Sequence, residues 1–238
     1  MWQGAWRIVK QELRLAWRGY IITLLFLAYA TFFSSLFLYG HLIGEISERV
    51  RWSLDFAHLT FIPIVGFLLD PAMFRYRSED SYSRKLAEWH TMPIGVGQII
   101  AARFTQQFLV LFVNCALYFA VQYAVIDKLR EMLGPTGFVL NFLSWFGYGI
   151  AIGGLMIYLE LGLPGRQYYK SCFAIVACFL AAAGLLGLSG TSAVFFFLEA
   201  ASDRNWWAAA AMLAAAAMSV VGFGAALHRR INRRSFWT

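Results

Sequence analysis

The sequence predicts an all-α polytopic membrane protein. Six transmembrane helices follow an N-terminal interfacial amphipathic helix, and both termini are cytoplasmic. Three observations carry that expectation. Of the 238 residues, 60% are hydrophobic and only 14% carry a charge, whereas a soluble domain is about 45–50% apolar and about 25% charged. The apolar residues gather in long runs, and six runs of about 20 residues would fill roughly 120 positions and leave room for short connections. The basic residues are shared unequally between alternate connections, which sets an orientation. The same arithmetic excludes a soluble globular protein and a disordered chain. No polar stretch is long enough for a separate water-soluble domain, so residues 1–238 form a single transmembrane domain.

Residues 1–18 open with helical periodicity. Trp2, Trp6, Val9, Leu13, Ala16 and Trp17 recur at steps of three and four, with Arg7, Lys10, Arg14 and Arg18 on another face. That pattern suits a helix lying in the headgroup region. It also suits the cytoplasmic start of the first span. No short apolar core with an A-x-A site follows, so a cleavable signal peptide is not expected.

Span one covers Gly19 to Ile43, and a polar loop with Glu45, Glu48, Arg49, Arg51 and Asp55 follows it. Span two covers Phe56 to Leu69, or starts as early as Trp52. Pro63 would kink it, which a membrane helix tolerates when a neighbour satisfies the freed carbonyl. The polar segment Asp70 to Gln98 leads to span three, Ile99 to Ile126. The loop before span four (Phe138 to Leu161) holds the turn signal Gly134-Pro135. Span five begins near Cys172. Residues 191–205 are apolar but too short to span, and span six covers Trp206 to Leu227.

Charge orients this layout. With both termini inside, fifteen basic residues are cytoplasmic: Arg7, Lys10, Arg14, Arg18, Arg75, Arg77, Arg84, Lys85, Arg103, Arg166, Lys170, Arg229, Arg230, Arg233 and Arg234. Only five (Arg49, Arg51, Lys128, Arg130 and Arg204) are then outside. This is the bias that topology follows. It also accounts for the net charge of +7 without a nucleic-acid partner.

Missing motifs narrow the function. There is no GxxxxGK[ST] phosphate loop and no HExxH, so the chain is not expected to be an enzyme or to bind a cofactor or metal. Cys115, Cys172 and Cys178 lie in apolar stretches without a CxxC pair and are expected to pack passively. His41, His58, His90 and His228 fall near span ends, where an interfacial position is expected. No charge falls in the middle of a span, as an ion-coupled carrier would need. Glu160 is expected to pair with Arg166 or to sit at the interface. Gln106, Gln107, Asn114, Gln122 and Asn141 are expected to hydrogen-bond between helices, at roughly 1 kcal/mol or less each, with one or two left to face a pathway. The pair Gly149 and Gly153 permits close packing, either within the chain or against another one.

The long inner loop carries the most information. Ser78, Glu79, Asp80 and Ser81 can cap a short helix, YSRKLAEW, which places Leu86, Trp89 and His90 at helical spacing. Pro93 then suits the first turn of the next helix. Such a helix can dock on a soluble partner or lie on lipid headgroups.

The segment SEDSYSRKLAEWHTMPIGVGQIIAARF resembles the inner loop of ABC-2-type transporter permeases. Lys85-Leu86, Met92-Pro93-Ile94, Gln98 and Arg103 stand at matching places, while Gly95 replaces a frequent Ser or Thr. The overall layout is similar as well. The resemblance implies the permease subunit of an ABC exporter in a bacterial plasma membrane. A second permease subunit, identical or related, would complete the pathway, and a separate ATP-binding subunit would bring the ATP and magnesium. It further implies that residues 71–98 form a coupling loop, with Arg75, Arg77, Glu79, Asp80, Arg84, Lys85, Leu86, Glu88 and Trp89 receiving the ATPase motion. Residues 191–205 would form a re-entrant or outer helical segment. The alternative is a non-transporting membrane scaffold or immunity-type protein. An intramembrane enzyme would need a nucleophile or metal cluster that the sequence does not display.

Overall fold

The computed structural model describes residues 2–69 and 94–233, with side chains up to Ile231. Among them are eight α-helices and no strand: α1 (Trp2–Leu15), α2 (Trp17–Leu42), α3 (Arg51–Ile64), α4 (Val96–Val125), α5 (Asp127–Gly162), α6 (Gly165–Leu188), α7 (Ala193–Ser202) and α8 (Trp206–Arg233). By length and composition α2, α4, α5, α6 and α8 can each cross a bilayer. The fold is that of an all-α integral membrane protein, with α5 at its centre against α3, α4, α7 and α8.

α1 is a helix of its own, separated from α2 by Ala16 alone. Its small residues Ala5 and Val9 are buried against Ala102 of α4, while Trp2 and Trp6 stay exposed. In α2, Thr23 and Thr31 donate to the carbonyls of Gly19 and Leu27, at 2.7 and 2.6 Å. That is how a hydroxyl is satisfied within an apolar helix.

The second expected span differs most from the sequence reading. α3 has 14 residues and begins at Arg51. It therefore rises only about 21 Å, short of the roughly 30 Å of hydrocarbon. The helix carries Pro63 within its last turn and stops at Ile64, rather than kinking and running on to Leu69. Residues 65–69 continue without helix. They end level with the first turns of α2, where the Leu69 amide donates to Thr23 Oγ1 at 2.9 Å. Such backbone is tolerated inside a bilayer only where protein covers it, and Val65 is buried.

The carbonyl that Pro63 leaves free belongs to Leu59, and the Tyr148 hydroxyl of α5 donates to it at 2.9 Å. The Asn114 amide donates to the Val65 carbonyl at 2.7 Å. The end of α3 is thus satisfied from two neighbouring helices.

The loop expected before span four is helical on both sides of Gly134. That residue breaks the helix with φ 59° and ψ −176°, a conformation open in practice only to glycine. Pro135 follows, where a missing N–H costs nothing in a first turn. Leu129 and Leu133 are buried, and α7 closes over them, with Ser202 Oγ donating to the Met132 carbonyl at 3.1 Å. At ten residues, α7 is too short to cross.

Glycines on α5 set its packing distances. A Cβ at Gly147 would lie 2.7 Å from the backbone of Met212 on α8. Gly149 faces Leu111 and Ile62, and Gly153 faces Gln107. The Gly149–Gly153 pair therefore packs within the chain. α6 packs chiefly on α3 and leaves most of its apolar surface exposed. All three cysteines are free, with Cys115 buried, Cys172 half-buried and Cys178 exposed on α6.

Two outcomes are expected in detergent unfolding measurements. Tyr148→Phe, which strands the Leu59 carbonyl, lowers stability by about 1 kcal/mol. Gly147→Ala forces α5 and α8 apart and costs about 1–3 kcal/mol; a variant as stable as the parent would contradict this packing.

Candidate functional site

α4 follows residues 70–93 closely and carries a buried polar stripe. Arg103, Gln107, Asn114, Tyr118 and Gln122 are spaced by four, seven, four and four residues, so they share one helix face. Each reaches a different part of the bundle. The helix is anchored at its start by Gln98, whose Oε1 accepts from the Gly95 amide at 3.3 Å. The Gln98 side chain also fills the space above Gly4 of α1, which a Cβ there would invade.

Arg103 is the charged end of the stripe. One guanidinium nitrogen pairs with Glu160 of α5. The other donates to Gln106 Oε1 at 2.8 Å and meets Glu12 of α1 at 3.4 Å. The arginine and Glu12 side chains are 12% exposed and Glu160 2%, so water screens this cluster little. Glu160 thus pairs with Arg103, not Arg166. Residue spacing along α5 could not reveal this, because the partner is 57 positions away on another helix. Glu160 Oε2 is buried and makes no hydrogen bond among the described residues.

Further along α4, Gln107 Nε2 donates to the Gly149 carbonyl at 3.2 Å. Tyr118 lies 2.7 Å from Ser34 Oγ of α2 and 3.1 Å from His58 Nε2 of α3. Gln122 Nε2 donates to the same serine at 3.1 Å. His58 Nδ1 faces the Leu54 carbonyl at 3.0 Å. A carbonyl can only accept, so Nδ1 carries a proton and Nε2 is the ring atom that meets the Tyr118 hydroxyl. The expected interfacial His58 is in fact at the core, against Tyr118 and Trp145 with ring centroids 5.7 and 5.2 Å away. Gln107, Asn114 and Gln122 bond between helices as expected, whereas Gln106 serves Arg103 on its own helix.

Asp55 was expected in an outer loop but is fully buried in α3. Its Oδ1 accepts from Ser192 Oγ at 2.7 Å and from the Val194 amide at 2.9 Å. A carboxylate at a helix N-terminus is favoured by the unpaired amides and the helix dipole. Arg51, one turn away, stacks over Phe195 of α7 at 4.5 Å. The signal in the sequence was register: Leu54, His58 and Ile62 mark the buried face of a helix, and Asp55 falls on that face.

Of the residues the family resemblance singles out, Gln98 caps α4 and Arg103 forms the buried ion cluster. Arg75, Arg77, Glu79, Asp80, Arg84, Lys85, Leu86, Glu88 and Trp89 lie outside the described residues, as does His90. Among the described residues, no three or more His, Cys, Asp or Glu side chains gather in a metal-like group. The arrangement around α4 can bind helices to one another and carry a displacement from one to the next.

No known family model, no curated protein and no solved structure matches this chain.

Arg103→Met leaves Glu160 charged in a buried site, at a cost of about 3–5 kcal/mol. Adding Glu160→Leu is expected to return part of that loss. Unfolding of both single variants and the double variant gives the coupling; additive losses would mean that the pair does not interact.

Proposed function

We propose that this chain is the membrane-spanning permease subunit of an ABC-type exporter, driven by a separate ATP-binding subunit through the cytoplasmic loop between its second and third crossings. The reading rests on the family resemblance of residues 78–104. The observation that supports it is the helix this segment leads into. α4 begins at Val96 and ties α1, α2, α3 and α5 together through Gln98, Arg103, Gln107, Asn114, Tyr118 and Gln122. A push on the loop would therefore be delivered to most of the bundle at once. In this reading the second crossing is α3 with residues 65–69, both termini are cytoplasmic, α1 lies at the membrane interface, and residues 191–205 are an outer segment.

The buried polar side chains of α4, Gln106, Gln107, Asn114, Tyr118 and Gln122, are engaged inside the chain. The pathway would then form between this subunit and a second one, identical or related, rather than through one bundle. The same observation gives the alternative its support: a non-transporting scaffold or immunity-type protein also needs a bundle with its polar groups internally engaged. ATP and magnesium would belong to the partner ATPase.

Coexpression with an ATPase encoded beside it is the direct test, and the two subunits are expected to purify together. Arg84→Glu with Lys85→Glu is expected to leave the protein in the membrane while uncoupling ATP hydrolysis from export. Normal export by that variant removes the coupling role, and activity that survives a catalytically dead ATPase favours the scaffold.

A further inference from the structure

We infer that a basic cavity at the junction of α5, α6 and α8 binds the phosphate headgroup of an anionic lipid. The cavity, of about 710 Å³, is lined by Tyr158, Gly162, Pro164, Gln167, Arg229 and Arg230. Arg230 is held in place on α5: its Nη1 donates to the Tyr158 hydroxyl at 3.0 Å, and its guanidinium lies 5.6 Å from the centre of that ring. Gly162 makes room for its stem, since a Cβ there would stand 3.2 Å from Arg230 Cδ.

Neither arginine has a carboxylate partner among the described residues. The ion pairs found there belong to Arg51, Arg103 and Arg130. Glu160, close by on α5, is taken by Arg103. Both arginines line the cavity, neither has a counter-charge among the described residues, and the one held on an aromatic ring presents a planar guanidinium suited to phosphate oxygens.

The surroundings point to a lipid rather than a soluble anion. Tyr169 and Phe173 on α6 and Val221 on α8 are 45%, 61% and 71% exposed. The helices that carry these side chains, α6 and α8, also line the cavity through Gln167 and Ala226, so acyl chains lying along them can belong to a lipid whose headgroup sits at the arginines. Basic pockets between membrane helices bind anionic headgroups in this way. The inference needs only a bilayer around the chain and is independent of the proposed transport role.

The test uses the full chain purified in detergent. Retained lipid is read by native mass spectrometry after exposure to phosphatidylglycerol or phosphatidylcholine with the same acyl chains. Each basic residue near an anionic lipid is worth about fivefold in binding. Wild-type protein is therefore expected to prefer phosphatidylglycerol by roughly tenfold or more, and Arg229→Gln with Arg230→Gln to abolish that preference. Arg204→Gln, between α7 and α8, is the control and should preserve it. Gly162→Ala keeps both charges but displaces the Arg230 stem, and should weaken the preference. Equal retention of the two lipids by wild type, or an unchanged preference in both cavity variants, overturns the inference. Displacement of the lipid by an equal concentration of inorganic phosphate also overturns it, assigning the cavity to a soluble anion.

Discussion

The fold depends on one constraint: polar groups withdrawn from water must find partners inside the helix bundle. α4 meets it for its neighbours. Its Asn114 serves the end of α3, its Gln107 a carbonyl of α5, and its Tyr118 and Gln122 a serine of α2. Each bond is worth only about 0.6 kcal/mol on average in a membrane protein. The larger effect is on uniqueness, because a shifted register would leave several groups stranded together at 1–3 kcal/mol each.

Close packing works alongside that constraint. Without water to drive association, membrane helices are held by contact and shape. The α5 glycines bring its backbone close to α8 at Gly147, and to Leu111, Ile62 and Gln107 at Gly149 and Gly153. Trp145, fully buried on the same helix, fills the volume between α3 and α7, with His58 and Phe197 on its faces. Small and large residues on one helix thus divide the work, some admitting backbone and one filling a gap.

Much of the architecture was legible in the sequence. The apolar runs located α2 and α4 to within a few residues at both ends and found the apolar parts of α5, α6 and α8, because hydrophobic length is a local property. The break at Gly134-Pro135 was visible for the same reason, though not the helical turns before it, which are held by burial of Leu129 and Leu133 under α7. Non-local pairings were hidden. Asp55 looked like a loop charge because its partners, Ser192 and Val194, are about 140 positions away. Glu160 pointed to nearby Arg166, yet the fold brings it Arg103. Hydropathy also counted Val65 to Leu69 as part of a span, since apolar residues satisfy that measure in any conformation.

The mixed character of the stretch from Arg51 to Leu69 makes the two flanks of residues 70–93 structurally unequal. On one side, residues 65–69 leave α3 as turns, with the Val65, Gly66 and Phe67 amides donating to the carbonyls of Phe61, Pro63 and Ile64 and the Leu69 amide tied to Thr23 of α2. On the other side, α4 is helical from Val96 onward and behaves as a stiff lever braced at Gln98 and Arg103. The two flanks of residues 70–93 therefore differ in kind: a short run of turns held by side chains of other helices on one, and a continuous helix on the other.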